Sequence, residues 1–138
     1  MSPLKQLPAP FLFLVALYFA TSLGHFTHNA EFICDYPNLP LWLTRAKVYG
    51  FWLAITAVGA FGFLLLHKRF VSAGLALVAV YAAPGFDGLG HYAVAPLAFH
   101  TFGANATILA EVAAGACLLV ATLCLIGKHL AVTHFYRK

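Results

Sequence analysis

The chain carries very few charged side chains. Only 9% of its 138 residues are Asp, Glu, Lys or Arg, and just four of these are acidic. A soluble domain usually has about 25% charged residues, so the composition excludes an ordinary water-soluble protein. Hydrophobic residues make up 62% of the chain, which predicts a protein built for lipid. The length suits one domain rather than two.

Cysteine pairs and basic clusters are also missing. Cys34, Cys117 and Cys124 are an odd number and form no CxxC motif. Cys117 and Cys124 lie in an apolar run, where cysteine usually acts as a small buried hydrophobe. Cys34 is a weaker candidate for a thiol ligand or for an intermolecular disulfide, and such a disulfide would join two chains in a homo-oligomer. The net charge is +4, but the basic residues are scattered in ones and twos, so we expect no nucleic-acid surface.

Four apolar segments are long enough to cross a bilayer core of about 30 Å at 1.5 Å per residue. They cover approximately residues 10–32, 46–66, 70–92 and 104–127. Gly50, Gly59 and Gly62 in the second segment predict close packing against another helix. Pro84 and Gly85 predict a kink or break in the third, since proline removes a backbone donor. The sequence therefore predicts one all-α domain, residues 1–138, folded as a four-helix transmembrane bundle.

The basic residues indicate how the bundle is oriented. Arg45 and Lys47 lie at one side of the expected membrane. The other side has more: Lys5, Lys68, Arg69, Lys128, Arg137 and Lys138. Because basic residues accumulate in the cytoplasm, we expect an integral protein, of the bacterial inner membrane, with both termini cytoplasmic.

Two histidines and a carboxylate stand at the end of the first segment. His25, His28 and Glu31 are spaced i, i+3 and i+6, which places them within an arc of about 120° on a helix. Ionisable groups at membrane depth are costly and usually functional. The sequence therefore predicts a functional site here.

Ionisable residues in the other segments fall at a similar depth. At 1.5 Å per residue, His25 and Glu111 each lie about 10 Å inside the outer edge, and Asp87 and His91 are one turn apart near the same level. Imidazole and carboxylate groups are ligands of zinc, iron and manganese. The candidate metal ligands are His25, His28, Glu31, Asp87, His91, His100 and Glu111. Some of the carboxylates could instead orient the imidazoles, and Asp35 is expected to cap the turn or pair with Arg45.

These ligands favour a metalloenzyme with one or two transition metal ions, zinc or iron first, acting on a lipid-like or small apolar molecule. A zinc ion would activate water for hydrolysis, with Glu31 or Glu111 as general base, whereas a di-iron centre would serve hydroxylation or oxidation. The alternatives are a metal-binding or metal-transporting protein, a b-type haem protein, and a scaffold with a buried hydrogen-bond network. Against transport, the inner halves of the segments hold no ionisable residue to continue a path.

One stretch is similar to a known family. His28-Asn29-Ala30-Glu31, followed by a proline-containing turn and Trp42, resembles the motif region of the small HXXEE membrane proteins. Those proteins are of about this size, are predicted to span the membrane several times and have no assigned activity. The second glutamate of the motif is Phe32 here. The resemblance implies a polar intramembrane site around His28 and Glu31, without specifying its chemistry.

Overall fold

The computed structural model describes residues 7–135, and every regular element in that range is a helix. The α-helices are α1 (Ala9–Glu31), α2 (Arg45–His67), α3 (Val71–Ala82), α4 (Gly90–Val94) and α5 (Phe102–Phe135). Four stretches are long and apolar enough to cross a membrane: α1, α2, the run from α3 through α4, and α5. The prediction of an all-α four-helix transmembrane bundle is confirmed, and the chain is an integral membrane protein.

The predicted break in the third span is also confirmed. After α3 the chain tightens into a 3-10 helix, Ala83–Leu89, with Pro84 in its first turn, and then continues as α4. Proline cannot donate the backbone hydrogen bond that a continuing α-helix needs. The segment stays compact because Gly85 packs on Gly115 of α5, where an added Cβ on Gly115 would lie 3.2 Å from the Gly85 Cα.

Glycines set the distance between α2 and α3. A Cβ added at Gly62 would lie 3.1 Å from the Gly74 carbonyl oxygen, and one added at Gly59 would lie 2.7 Å from the Tyr81 ring. Small residues of this kind let membrane helices approach closely, as predicted for Gly59 and Gly62. The same prediction was wrong for Gly50, which has nothing within 4 Å of an added Cβ.

The interior of the bundle is filled mainly by apolar and aromatic side chains. Tyr18, Val78 and Leu118 are completely buried and, with Leu66 of α2, belong to one core cluster to which α1, α2, α3 and α5 all contribute. Cys117 and Cys124 are exposed on α5, so the expectation that they are buried was wrong. On a helix in lipid, a cysteine that leaves the core simply faces the acyl chains, and the apolar run around it could not distinguish the two faces.

Candidate functional site

A polar stripe on α1 faces the interior of the bundle. Ser22, His25 and Asn29 are all buried, and their spacing of three and four residues keeps them on one side of the helix. The stripe lies against α5, with which α1 shares a long interface. The polar residues of the first span therefore serve the protein interior and not the lipid surface.

At the centre of the site, His25 meets Glu111 of α5. The distance from His25 Nε2 to Glu111 Oε2 is 3.7 Å, and the two side chains are only 4% and 1% exposed. Glu111 Oε1 has no hydrogen-bond partner among the described residues. A buried carboxyl group so weakly satisfied is costly, so the pair needs a proton, water or cation between or beside its polar atoms.

The contact made by the other ring nitrogen of His25 indicates the tautomer of its neutral imidazole. Nδ1 lies 3.4 Å from the hydroxyl of Thr107. That hydroxyl donates its hydrogen to the backbone carbonyls of Gly103 and Ala104, so its oxygen is left to accept from Nδ1–H. In the neutral imidazole the remaining nitrogen, Nε2, then carries a lone pair. An unprotonated nitrogen therefore faces the carboxyl group of Glu111.

The break in the third span brings two further predicted residues to this place. Asp87 lies in the 3-10 segment and His91 in α4, and both line a cavity of about 180 Å³ together with His25, Asn29 and Glu111. His91 Nε2 is 3.2 Å from the amide nitrogen of Asn29, which leaves Nδ1 of His91 for another partner. The predicted convergence of His25, Asp87, His91 and Glu111 is thus found in the structure.

Tyr36, which sequence reasoning missed, packs among four of the histidines. Its ring centroid lies 4.7 Å from that of His91 and 5.7–6.4 Å from three others. They are His25, His28 and His100. Tyr36 is 3% exposed, and burial raises the pKa of its phenol to about 12. No motif marks this tyrosine in the loop after α1; its role follows only from the fold.

His28 and His100 flank the site from outside. His28 Nδ1 is 2.9 Å from the Tyr36 hydroxyl, and its ring lies over Gly103, where an added Cβ would come within 2.7 Å. His100 precedes α5 in extended backbone. This lets it fold back toward His91, with ring centroids 6.1 Å apart, instead of standing far above Glu111 on a continuous helix.

Glu31 lies apart from this cluster. Its carboxylate pairs with the Arg45 guanidinium and accepts a hydrogen bond of 2.7 Å from Tyr49 of α2. Each step of three residues turns a helical position by about 60°, so Glu31 points about 120° away from His25. The structure gives no support to Glu31 as ligand or general base. Asp35 was expected to cap the turn or to pair with Arg45, but Arg45 pairs with Glu31 instead.

Within residues 7–135, no group of three or more His, Cys, Asp or Glu side chains is arranged to hold a metal ion. Instead, the buried Asn29 Oδ1 and His100 Nε2 atoms lack hydrogen-bond partners in the described part of the chain, as does Glu111 Oε1. Asn29 and Glu111 both line the cavity beside His25, and unpartnered buried atoms at one cavity indicate a place for a small polar occupant.

The arrangement combines a lone-pair nitrogen, a buried carboxyl group and an adjoining cavity inside the membrane. Such a combination suits proton transfer, since acid and base must lie near one another and near a bound molecule.

Comparisons of the chain with protein-family models, with curated proteins and with solved structures gave no match.

Proposed function

We propose that the protein is a membrane-embedded enzyme that transfers a proton to or from a lipid-like or small apolar substrate. The observation that carries this proposal is the buried pair of His25 and Glu111, in which Nε2 faces Oε2 at 3.7 Å beside a cavity. Within the pair, the lone pair on Nε2 is the base and a protonated Glu111 is the acid.

The surrounding residues support these roles. Thr107 holds His25 in the tautomer that leaves Nε2 free, and Asn29 holds His91 at the cavity wall. Because the pair is almost completely buried, bulk water does not compete for its proton, and electrostatic interactions are stronger than in solution. A cavity of about 180 Å³ is too small for a whole lipid, so only the reacting part of a substrate would enter it.

A second candidate is the metalloenzyme that the sequence predicts. His25, His91 and Glu111 line one cavity, and imidazole with carboxylate is a donor set that zinc and iron accept. The unpartnered Glu111 Oε1 favours this candidate, since a cation would satisfy it. A bound zinc or iron ion would supply Lewis-acid or redox chemistry. Asn29 and Thr107 would then fix the orientation of the two imidazoles.

The first test follows hydrogen exchange on a substrate. Purified protein in vesicles of native lipid would be incubated in D2O, and deuterium incorporated into lipid C–H positions would be measured by mass spectrometry. We expect incorporation with the wild type and a loss of at least about 100-fold in Glu111→Gln, the range over which general acid–base groups contribute. Glu31→Gln is the matched control, because Glu31 has the same chemistry but pairs with Arg45.

Two further measurements on the same samples separate the candidates. A carboxylic-acid C=O band in the infrared spectrum that is present in wild type and Glu31→Gln but absent from Glu111→Gln supports the proton-transfer pair. About one zinc or iron per chain, lost in Glu111→Gln and His25→Gln but not in Glu31→Gln, supports the metalloenzyme. An ionised Glu111 in a metal-free protein that exchanges no substrate hydrogen would contradict both.

We also propose that both termini face the cytoplasm of a bacterial inner membrane, as the charge pattern favours. The loops after α1 and after α4 meet, since Asn38 donates a hydrogen bond of 2.9 Å to the Val94 carbonyl. In a protein whose own cysteines have been replaced, an impermeant maleimide should label Leu41→Cys and Phe99→Cys in intact cells. Labelling of Phe70→Cys from outside would reverse the orientation.

A further inference from the structure

A second cavity lies between α1, α2 and α3, nearer to the start of α1 than the cavity beside His25. We call it the lower cavity, and the cavity beside His25 the upper cavity. The volume of the lower cavity is about 430 Å³, within the usual range for small-molecule sites, and its walls are almost entirely apolar. Among the residues that line it are Leu12, Val15, Phe19, Thr56, Phe63 and Tyr81. None of them belongs to the His25–Glu111 site.

The shape of this cavity is elongated along the helices. On α1 it runs from Leu12 to Phe19, and on α2 from Thr56 to Phe63, which at 1.5 Å per residue is about 10 Å on each helix. Both stretches lie inside the membrane-spanning segments. The molecules available to fill an open apolar space at that depth are those of the bilayer, whose acyl chains run in the same direction.

Two unpartnered hydrogen-bond donors lie on α2 near this cavity: Thr56 lines it, and Trp52 lies one turn earlier on the helix, next to the wall residue Phe19. Trp52 Nε1 and Thr56 Oγ1 are buried and have no partner in the described range; they are four residues apart and so neighbours on one face. Trp52 packs on Phe19 of the cavity wall, with ring centroids 5.5 Å apart.

Thr56 differs from most other helical threonines of this protein. A threonine inside a helix commonly satisfies its hydroxyl on the carbonyl four residues earlier. Thr21, Thr107, Thr122 and Thr133 all do so. Because Thr56 does not, its hydroxyl remains available to an acceptor in the cavity.

The lower cavity and the cavity of the proposed active site lie one after the other along α1 and along the third span. Phe26, which lines the upper cavity, is two turns above Phe19 on the same face of α1. Pro84 of the upper cavity is likewise about one turn beyond Tyr81 of the lower one. An extended molecule lying along α1 would therefore have its polar end near His25 and its tail about 10 Å deeper.

We infer that the lower cavity binds the acyl chain of an ester lipid, with the ester carbonyl accepting hydrogen bonds from Thr56 and Trp52. The inference rests on the proposed function in one respect only, that the lipid so held is the substrate. It names the substrate class as an acyl ester, because a purely hydrocarbon tail would leave both donors unsatisfied.

The test uses phosphatidylcholine with a photoreactive diazirine in its acyl chain, in vesicles of unlabelled phosphatidylcholine. Crosslinks should map by mass spectrometry to the cavity walls on α1, α2 and α3. Ala60→Trp fills the cavity from α2, and labelling should fall at least about tenfold; Ala54→Trp, an exposed alanine of the same helix outside the cavity, should label as the wild type. Ala16→Phe fills the space from α1, in case the tryptophan variant does not fold.

A second comparison uses the same probe with an ether in place of the ester. Thr56→Val should lower the ratio of ester to ether labelling about three- to tenfold, the effect of one hydrogen bond. Equal labelling of Ala60→Trp and Ala54→Trp, or an unchanged ratio in Thr56→Val, would overturn the inference. Glu111→Gln should keep full labelling while losing hydrogen exchange. Labelling therefore tests the acyl-chain site, hydrogen exchange tests the proposed reaction, and either can be refuted without the other.

Discussion

Replacing Gly115 by alanine should destabilise the bundle at the point where the broken third span rests on α5. The added Cβ would lie 3.2 Å from three atoms: the Ala82 carbonyl oxygen, the Gly85 Cα and a ring carbon of Tyr18. Two of these are backbone atoms, which cannot rotate away. Overpacking of this kind costs about 1–3 kcal/mol, whereas alanine gains up to about 1 kcal/mol over glycine in helix propensity.

A control on the same helix removes the propensity contribution. Gly127 has nothing within 4 Å of an added Cβ, so Gly127→Ala should be neutral or stabilising. The difference in unfolding free energy between the two variants should then equal the packing cost alone, about 1–3 kcal/mol. Unfolding in a mild detergent, followed by circular dichroism, measures it. If Gly115→Ala proved as stable as Gly127→Ala, the close contact between α5 and the Ala83–Leu89 segment would be refuted.

Two other predictions concern the edge of the site. Burial raises the pKa of Tyr36 to about 12 from an ordinary value of 10.0, so its phenol ionises first in the unfolded chain; the stability it contributes is complete below pH 10 and is lost between pH 10 and 12. Tyr36→Phe should flatten that loss in an alkaline denaturation series, and an equally steep loss would contradict the assignment. Glu31→Gln should change the unfolding free energy by less than about 1 kcal/mol, because the Arg45 side chain is 66% exposed and exposed ion pairs contribute little; a larger loss would indicate that Glu31 belongs to the site.

Much of the fold could be predicted from the sequence because membrane helices follow from length and apolarity alone. The break at Pro84 was equally predictable, since proline acts on the local backbone whatever surrounds it. The face that each helix turns inward was less certain. Cys117 and Cys124 show why: in a uniformly apolar helix, periodicity gives no sign of which side meets lipid and which meets protein.

For the site, depth was a better guide than motif. Equal depths predicted that His25, Asp87, His91 and Glu111 would meet, and they line one cavity. Glu31 was grouped with His25 because an arc of 120° was treated as one face, yet the two ends of such an arc reach different neighbours. Tyr36 and Thr107 could not be found in advance, since their importance depends on contacts across 8 to 82 residues of sequence.

The separation between the two halves of the site has a consequence for biosynthesis. His25 and Thr107 are 82 residues apart, and ribosomes add about 5–20 residues per second. The first span therefore waits about 4–16 s in the translocation machinery or the bilayer before α5 can cover its polar stripe. During that interval His25 lacks its partners on α5, and for most of it Asn29 lacks His91 of α4, at a depth where unpaired polar groups are costly. Their position in the last two turns of α1, where the span approaches water and lipid headgroups, lets the nascent helix remain inserted until its partners arrive.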